Sequence, residues 1–104
     1  MSTMGSVSVG NSVTPIMAVN RMRRMLLVKS LKSNTATVFL KLDDSATTLT
    51  AGNGWPLEPG EAFTIVNNRF SGPVGSPSMG VEYWCAVSGI TTAGTADIRF
   101  VEVT

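Results

Sequence analysis

Apolar side chains recur at every second position of this chain, in short runs that break at Gly, Pro, Asn or Asp. Ser6-Val7-Ser8-Val9 alternates polar with apolar, and Gly10-Asn11 then supplies a turn. Residues 13–19 form a second extended piece, in which Pro15 has no amide hydrogen to donate and so suits a sheet edge or a bulge. Met25-Leu26-Leu27-Val28-Lys29-Ser30-Leu31 is apolar on both faces, as a strand in the middle of a sheet would be. Ser33-Asn34 turns the chain into Thr37-Val38-Phe39-Leu40-Lys41-Leu42, its predicted hairpin partner. Asp43-Asp44-Ser45 interrupts, Thr47-Thr48-Leu49-Thr50 reads as a short strand, and residues 51–60 read as a loop. At Glu58-Pro59-Gly60-Glu61, Pro presets φ and Gly accepts positive φ, which predicts a type II turn.

Ala62-Phe63-Thr64-Ile65-Val66 resumes a strand, and residues 67–80 make a long connection holding three Gly and two Pro. Loops of that length inside small domains are usually functional. Val81-Glu82-Tyr83-Trp84-Cys85-Ala86-Val87 is the most aromatic strand pattern, and residues 90–95 with Gly94 turn the chain into the last one, residues 96–103. There Ala96, Ile98 and Phe100 share one face, while Asp97, Arg99, Val101 and Val103 share the other. That second face begins polar and ends apolar, as though the end of the strand were covered on both sides. No segment sustains the i, i+3, i+4 spacing of a helix. The fold predicted is all-β, a small antiparallel β-sandwich or jelly-roll-like domain over residues 21–104, with residues 1–20 as an extended N-terminal arm or edge strand.

Composition narrows the work such a fold can do. The chain has 104 residues, enough for one domain with a modest core, and only 14% of them are charged. Sparse charge suits an exterior that is partly covered in use. Net charge is +1, but residues 1–42 hold six basic and no acidic side chains, while residues 43–104 hold seven acidic and two basic ones. Pairing of early basic strands with late acidic ones across a sheet is the expected outcome, with contact between opposite poles of two subunits as the alternative. The single Cys85 cannot form an internal disulfide, no Asn-x-Ser/Thr sequon occurs, and the opening residues lack the pattern of a signal peptide. The expectation is a chain folded in a reducing, soluble compartment, with no membrane segment.

Candidate chemistry is thin. There is no histidine, and the lone cysteine reads as a small buried apolar residue. Asp43 and Asp44, being adjacent, would point to opposite faces of a strand, so they read as a turn and not as a carboxylate pair. Gly52-Asn53-Gly54 lacks the Lys and following helix of a phosphate loop. Arg21-Met22-Arg23-Arg24 is the one basic cluster, either a contact for an acidic partner or the start of a strand with its guanidinium groups paired to neighbouring carboxylates. Without interleaved aromatics it does not read as a nucleic-acid surface. Trp55, beside Pro56 and Leu57, either plugs the end of the sandwich or sits at a subunit contact. No catalytic residue, metal ligand or cofactor is expected.

Several pieces in order resemble a recurrent class of small tailed-bacteriophage virion proteins. They are Val7-Ser8-Val9-Gly10, Arg23-Arg24-Met25-Leu26-Leu27-Val28, Thr37-Val38-Phe39-Leu40 and Gly54-Trp55-Pro56-Leu57-Glu58-Pro59-Gly60-Glu61, followed by Tyr83-Trp84-Cys85-Ala86-Val87-Ser88-Gly89, Gly94-Thr95-Ala96-Asp97-Ile98-Arg99 and Val101-Glu102-Val103. A strand beginning with two Arg, a "PLxPGE" turn and a closing "GTADxRxxE" strand recur in that class in this order. The resemblance spans nearly the whole chain, and the motifs are structural. It implies a β-sandwich on the virion, most often a decoration (cement) protein outside the capsid, made in the host bacterial cytoplasm. The partners implied are the major capsid protein and further copies of the same chain, as a dimer or trimer. The class commonly has a shorter connection where residues 67–80 lie, which leaves the capsid-facing surface open. A neck, tail or fibre-associated virion protein is the first alternative. A carbohydrate-binding module stacking sugars on Trp55, Tyr83 or Trp84 is the second. The residues expected to meet a partner are Val7, Val9, Ile16, Met17, Arg21, Arg23, Trp55, Arg69, Phe70 and Met79.

Overall fold

A computed structural model describes residues 2–42, 48–66, 69–71 (backbone only) and 84–104. In these residues the chain is all-β, with no helix. Nine strands follow one another: β1 Ser2–Val9, β2 Thr14–Met17, β3 Met25–Ser30, β4 Val38–Lys41, β5 Trp55–Leu57, β6 Ala62–Val66, β7 Arg69–Ser71, β8 Val87–Ile90 and β9 Ala96–Val103. One antiparallel sheet has the order β1-β9-β3-β6-β7 and the other β2-β8-β4-β5. The two enclose one core, to which the first sheet contributes Val9, Leu26, Val28, Phe63, Ile65 and Ile98, and the second Ile16, Val38, Leu40, Leu57 and Val87. This is a small β-sandwich.

The period-2 pattern decides which side chains enter that core. In β9, Ala96 and Ile98 are buried while Asp97 and Arg99 are exposed; in β3, Leu26, Val28 and Ser30 are buried while Lys29 is exposed. Through the register, Val28 lies between Phe100 on one side and Phe63 on the other.

Residues 2–9 and 14–17 form strands, β1 at an edge of the first sheet and β2 at an edge of the second. β1 pairs with β9 along its whole length, and Val9, Ile16 and Met17 belong to the common core. Pro15 lies on the edge strand β2, beside a register shift between Pro15 and Met17, as its missing amide hydrogen requires.

Four expectations need correction. β3 and β4 are not a hairpin, because β3 is flanked on both sides by β9 and β6 and has no free edge for β4. The connection instead carries the chain from one sheet to the other. It is fixed by Asn34, whose side chain donates to the Asp97 carbonyl and accepts from the Asp97 amide, both at 2.9 Å. Thr48-Leu49-Thr50 is not a strand: Asn53 gathers it into a turn by accepting from the Thr50 amide and donating to the Thr48 carbonyl. Trp55–Leu57 is a strand and not a loop, paired with β4. Of the aromatic strand pattern, residues 84–86 lie outside any strand, and β8 runs on to Ile90. Asp43, Asp44 and residues 81–83 lie outside the described residues.

The predicted turn between β5 and β6 is present. The Glu61 amide donates to the Glu58 carbonyl at 3.0 Å, and Gly60 has φ of 86°, the left-handed value that the third position of a type II turn demands. The nearest atom to an added Cβ at Gly60 is Lys32 Cγ, at an unstrained 3.7 Å, so only backbone strain would oppose a side chain. Gly60→Ala is therefore expected to cost about 1–2 kcal/mol, read as a lower urea midpoint with an unchanged slope.

Candidate interaction surface

The described residues offer no group of three or more His, Cys, Asp or Glu able to hold a metal ion. The sequence-predicted contacts divide sharply by where the strands put them.

Arg23 is the clearest case. It is 1% exposed and makes a charge pair with Glu102 at 2.7 Å. Its Nε donates to Glu102 Oε2 at 2.8 Å, Nη1 to the Cys85 carbonyl at 2.7 Å, and Nη2 to the Ala18 carbonyl at 2.7 Å. A planar fork with five N–H donors can serve three acceptors in different directions, which a lysine could not. Expected as a partner contact, Arg23 is instead an internal tie between the stretch after β2, the stretch before β8, and β9. It also realises the expected pairing of early basic with late acidic residues. Arg21, two residues earlier, is exposed, and its guanidinium carbon stands 4.0 Å from the centre of the Trp84 ring. A turn over residues 20–23, in which the Arg23 amide donates to the Asn20 carbonyl at 3.1 Å, separates the two fates.

Val9, Ile16 and Met17, also expected at a partner, are buried in the core, because β1 and β2 turn those positions inward. Val7 faces the same way, half-buried. Trp55 is half-buried and meets Phe63 edge to face, with centroids 5.2 Å apart and planes at 80°. That pair joins β5 of one sheet to β6 of the other, so Trp55 closes the core beside the type II turn. Arg69 and Phe70 lie on β7 at the far edge of the five-stranded sheet, and Met79 lies outside the described residues.

The surface that sequence reasoning misses is the outer face of the five-stranded sheet. Register places Met4, Val101, Leu27 and Thr64 in one row across it, and Ser2, Val103, Met25 and Val66 in the next. Met4 and Val66 are exposed, at 78% and 41%, while Met25, Leu27, Val101 and Val103 are half-buried. The row on the other side of Met4 holds Ser6, Arg99, Lys29 and Ala62. One end of the face is therefore apolar and the other polar and charged. The signal was present in β9, whose outward positions change from Asp97 and Arg99 to Val101 and Val103. The opposite sheet differs: its outward Phe39 is packed closely by its own chain, since a Cβ at Gly54 would come within 2.6 Å of Phe39 Cβ and 3.0 Å of Leu49 Cδ1.

Comparison with protein-family models, with curated proteins and with solved structures finds no match to this chain.

Replacing Arg23 by Ala would remove the donors to two backbone carbonyls and a carboxylate, and is expected to cost about 3–5 kcal/mol, read by urea unfolding. Arg23→Lys should recover only part of that. Arg21→Ala removes an exposed cation–π contact and is expected to cost at most about 1 kcal/mol.

Proposed function

We propose that this chain is a structural protein of a tailed-phage virion, a capsid decoration protein that binds the outer surface of the shell and stabilises capsomer junctions. The observation that carries the reading is the apolar end of the outer sheet face, where Met4, Met25, Leu27, Val66, Val101 and Val103 lie side by side. A small domain that keeps such a row at its surface has something to cover it. The motifs behind the resemblance also support the reading by where they fall. The two-Arg strand start holds the buried Arg23, the Pro-Gly turn crosses between sheets, and the closing strand is β9, which supplies Glu102. With β7 set aside, the orders β1-β9-β3-β6 and β2-β8-β4-β5 support a jelly-roll winding, an arrangement found in capsid domains.

The mechanism is adhesion. Each copy contributes a modest apolar contact with the major capsid protein, and many copies on one shell act together, gaining roughly 10²–10⁴ in avidity where neighbouring contacts are linked. No bond is made or broken in this reading, and no cofactor or membrane takes part. Stacking of sugars gains no support from the two described candidates, because Trp55 is engaged by Phe63 and Trp84 by Arg21.

Two measurements test the proposal. Quantitative mass spectrometry of purified virions should find the chain at a copy number that scales with the capsomers, and a dozen or so copies would place it at the neck or tail instead. Purified protein should co-sediment with capsids that lack it. Val66→Glu and Leu27→Glu, which put a charge on the apolar face, should each lower that binding at least tenfold, the equivalent of about 1.4 kcal/mol. Unchanged binding by both folded variants would overturn the role of this face.

A further inference from the structure

Among the described residues the two sheets have four edge strands, and three of these are protected. β2 has four residues, with Pro15 and a register shift; β5 has three, with Pro56 at its centre; β7 has three. Short strands, prolines and bulges are the usual means of stopping an edge from templating another strand. β1 has none of them. It is eight residues long, carries no charge and no proline, and keeps an unbroken register with β9.

The direction of its backbone groups follows from the ladder. Asp97 and Val103 present their carbonyls to the β3 side, accepting from Leu31 and Arg24. Antiparallel alternation then turns the even positions of β9 towards β1. Thr3, Gly5, Val7 and Val9 take those bonds through their pairing with Glu102, Phe100, Ile98 and Ala96. Ser2, Met4, Ser6 and Ser8 accordingly aim their N–H and C=O groups away from β9, at the open edge.

We propose that a second copy of this chain pairs with β1 along that edge, antiparallel and about a twofold axis, joining the two five-stranded sheets into one. β1 is self-complementary in the register centred on Gly5. Ser2 then lies opposite Ser8 of the other copy and Met4 opposite Ser6, so every edge-directed donor and acceptor meets a counterpart. Pairing even with even positions keeps both cores on the same side of the joined sheet. Gly5 lies opposite itself, where antiparallel strands approach most closely. It has no side chain there because the Phe100 ring occupies the space: an added Cβ would come within 2.5 Å of that ring. The exposed Met4 gains its own copy as a diagonal neighbour, so the two apolar rows, each in line with the other copy's Ser6 row, meet at the axis. A strand without charge carries nothing that repels its own copy.

This inference rests on the sheet geometry and stands independently of the virion reading. The test is sedimentation equilibrium of the full chain from micromolar to sub-millimolar concentration, with amide exchange followed in parallel. The wild type should reach twice the 11.0 kDa of one chain, with the Met4, Ser6 and Ser8 amides protected. Ser6→Pro removes an outward donor without breaking a β1–β9 bond, and Ser6→Lys adds a charge near the axis. Both should remain folded, sediment as monomers and lose protection at Met4 and Ser8. Val66→Glu, at the far side of the same face, should remain dimeric. Should Ser6→Pro fail to fold, Ser6→Lys decides. A wild type that stays monomeric throughout overturns the proposal, as does a dimer that both Ser6 variants leave intact. A monomeric wild type whose capsid binding falls with Ser6→Lys would show the edge taking a strand of another protein, which also overturns self-pairing.

Discussion

One buried guanidinium ties the β2–β8 pair of one sheet to β9 of the other, a link that no strand ladder makes. Arg23 bonds the Ala18 carbonyl after β2, the Cys85 carbonyl before β8, and the Glu102 carboxylate near the end of β9. Taking a charge out of water costs several kcal/mol, and the pair is tolerable only because its donors have acceptors at short distance. No buried side-chain nitrogen or oxygen among the described residues lacks a partner. The consequence is geometric: once the guanidinium is committed, the path leaving β2 and the path entering β8 must both pass it, which sets how these two paired strands reach the second sheet.

The core imposes a complementary constraint. The buried inward side chains of β1, β2, β3, β4, β5, β6, β8 and β9 are consumed in joining the two sheets, so they are not available to another molecule. Among the described residues, outward positions and backbone edges are what remains to meet another molecule. Both candidates found there belong to the five-stranded sheet: the apolar rows through Val101 and Leu27, and the open side of β1. They adjoin at Met4, so a copy paired along β1 would extend a surface for a larger partner without covering most of it. A decoration protein that first pairs with itself and then lays its joined face on a shell would use both features at once.

Strand character, the inward face of β9, the edge position of the Pro15 strand and the turn at Pro59-Gly60 follow from local chemistry. Alternation needs only the pleat, Pro needs a place without a donor, and positive φ needs Gly. These are properties of a few neighbouring residues, and they hold in whichever sheet the strand ends up. The same reasoning failed for β3 and β4, whose apolar residues at Leu26, Val28, Val38 and Leu40 suit one hairpin as well as two opposed sheets. Period-2 patterning reports that a face is buried without reporting what lies across from it.

Charge asymmetry between the halves of the chain foretold that early basic and late acidic residues would pair, yet it could not pick among Arg21, Arg23 and Arg24. Their chemistry is identical in isolation. Which one turns inward depends on where β9 delivers Glu102 and where the chain before β8 leaves the Cys85 carbonyl, positions 79 and 62 residues distant along the chain. The same holds for Val9, Ile16 and Met17, which resemble a sticky arm until a second sheet arrives to cover them. Local geometry was written in the residues; burial was not, because burial is a relation between distant segments that exists only once both sheets have closed on each other.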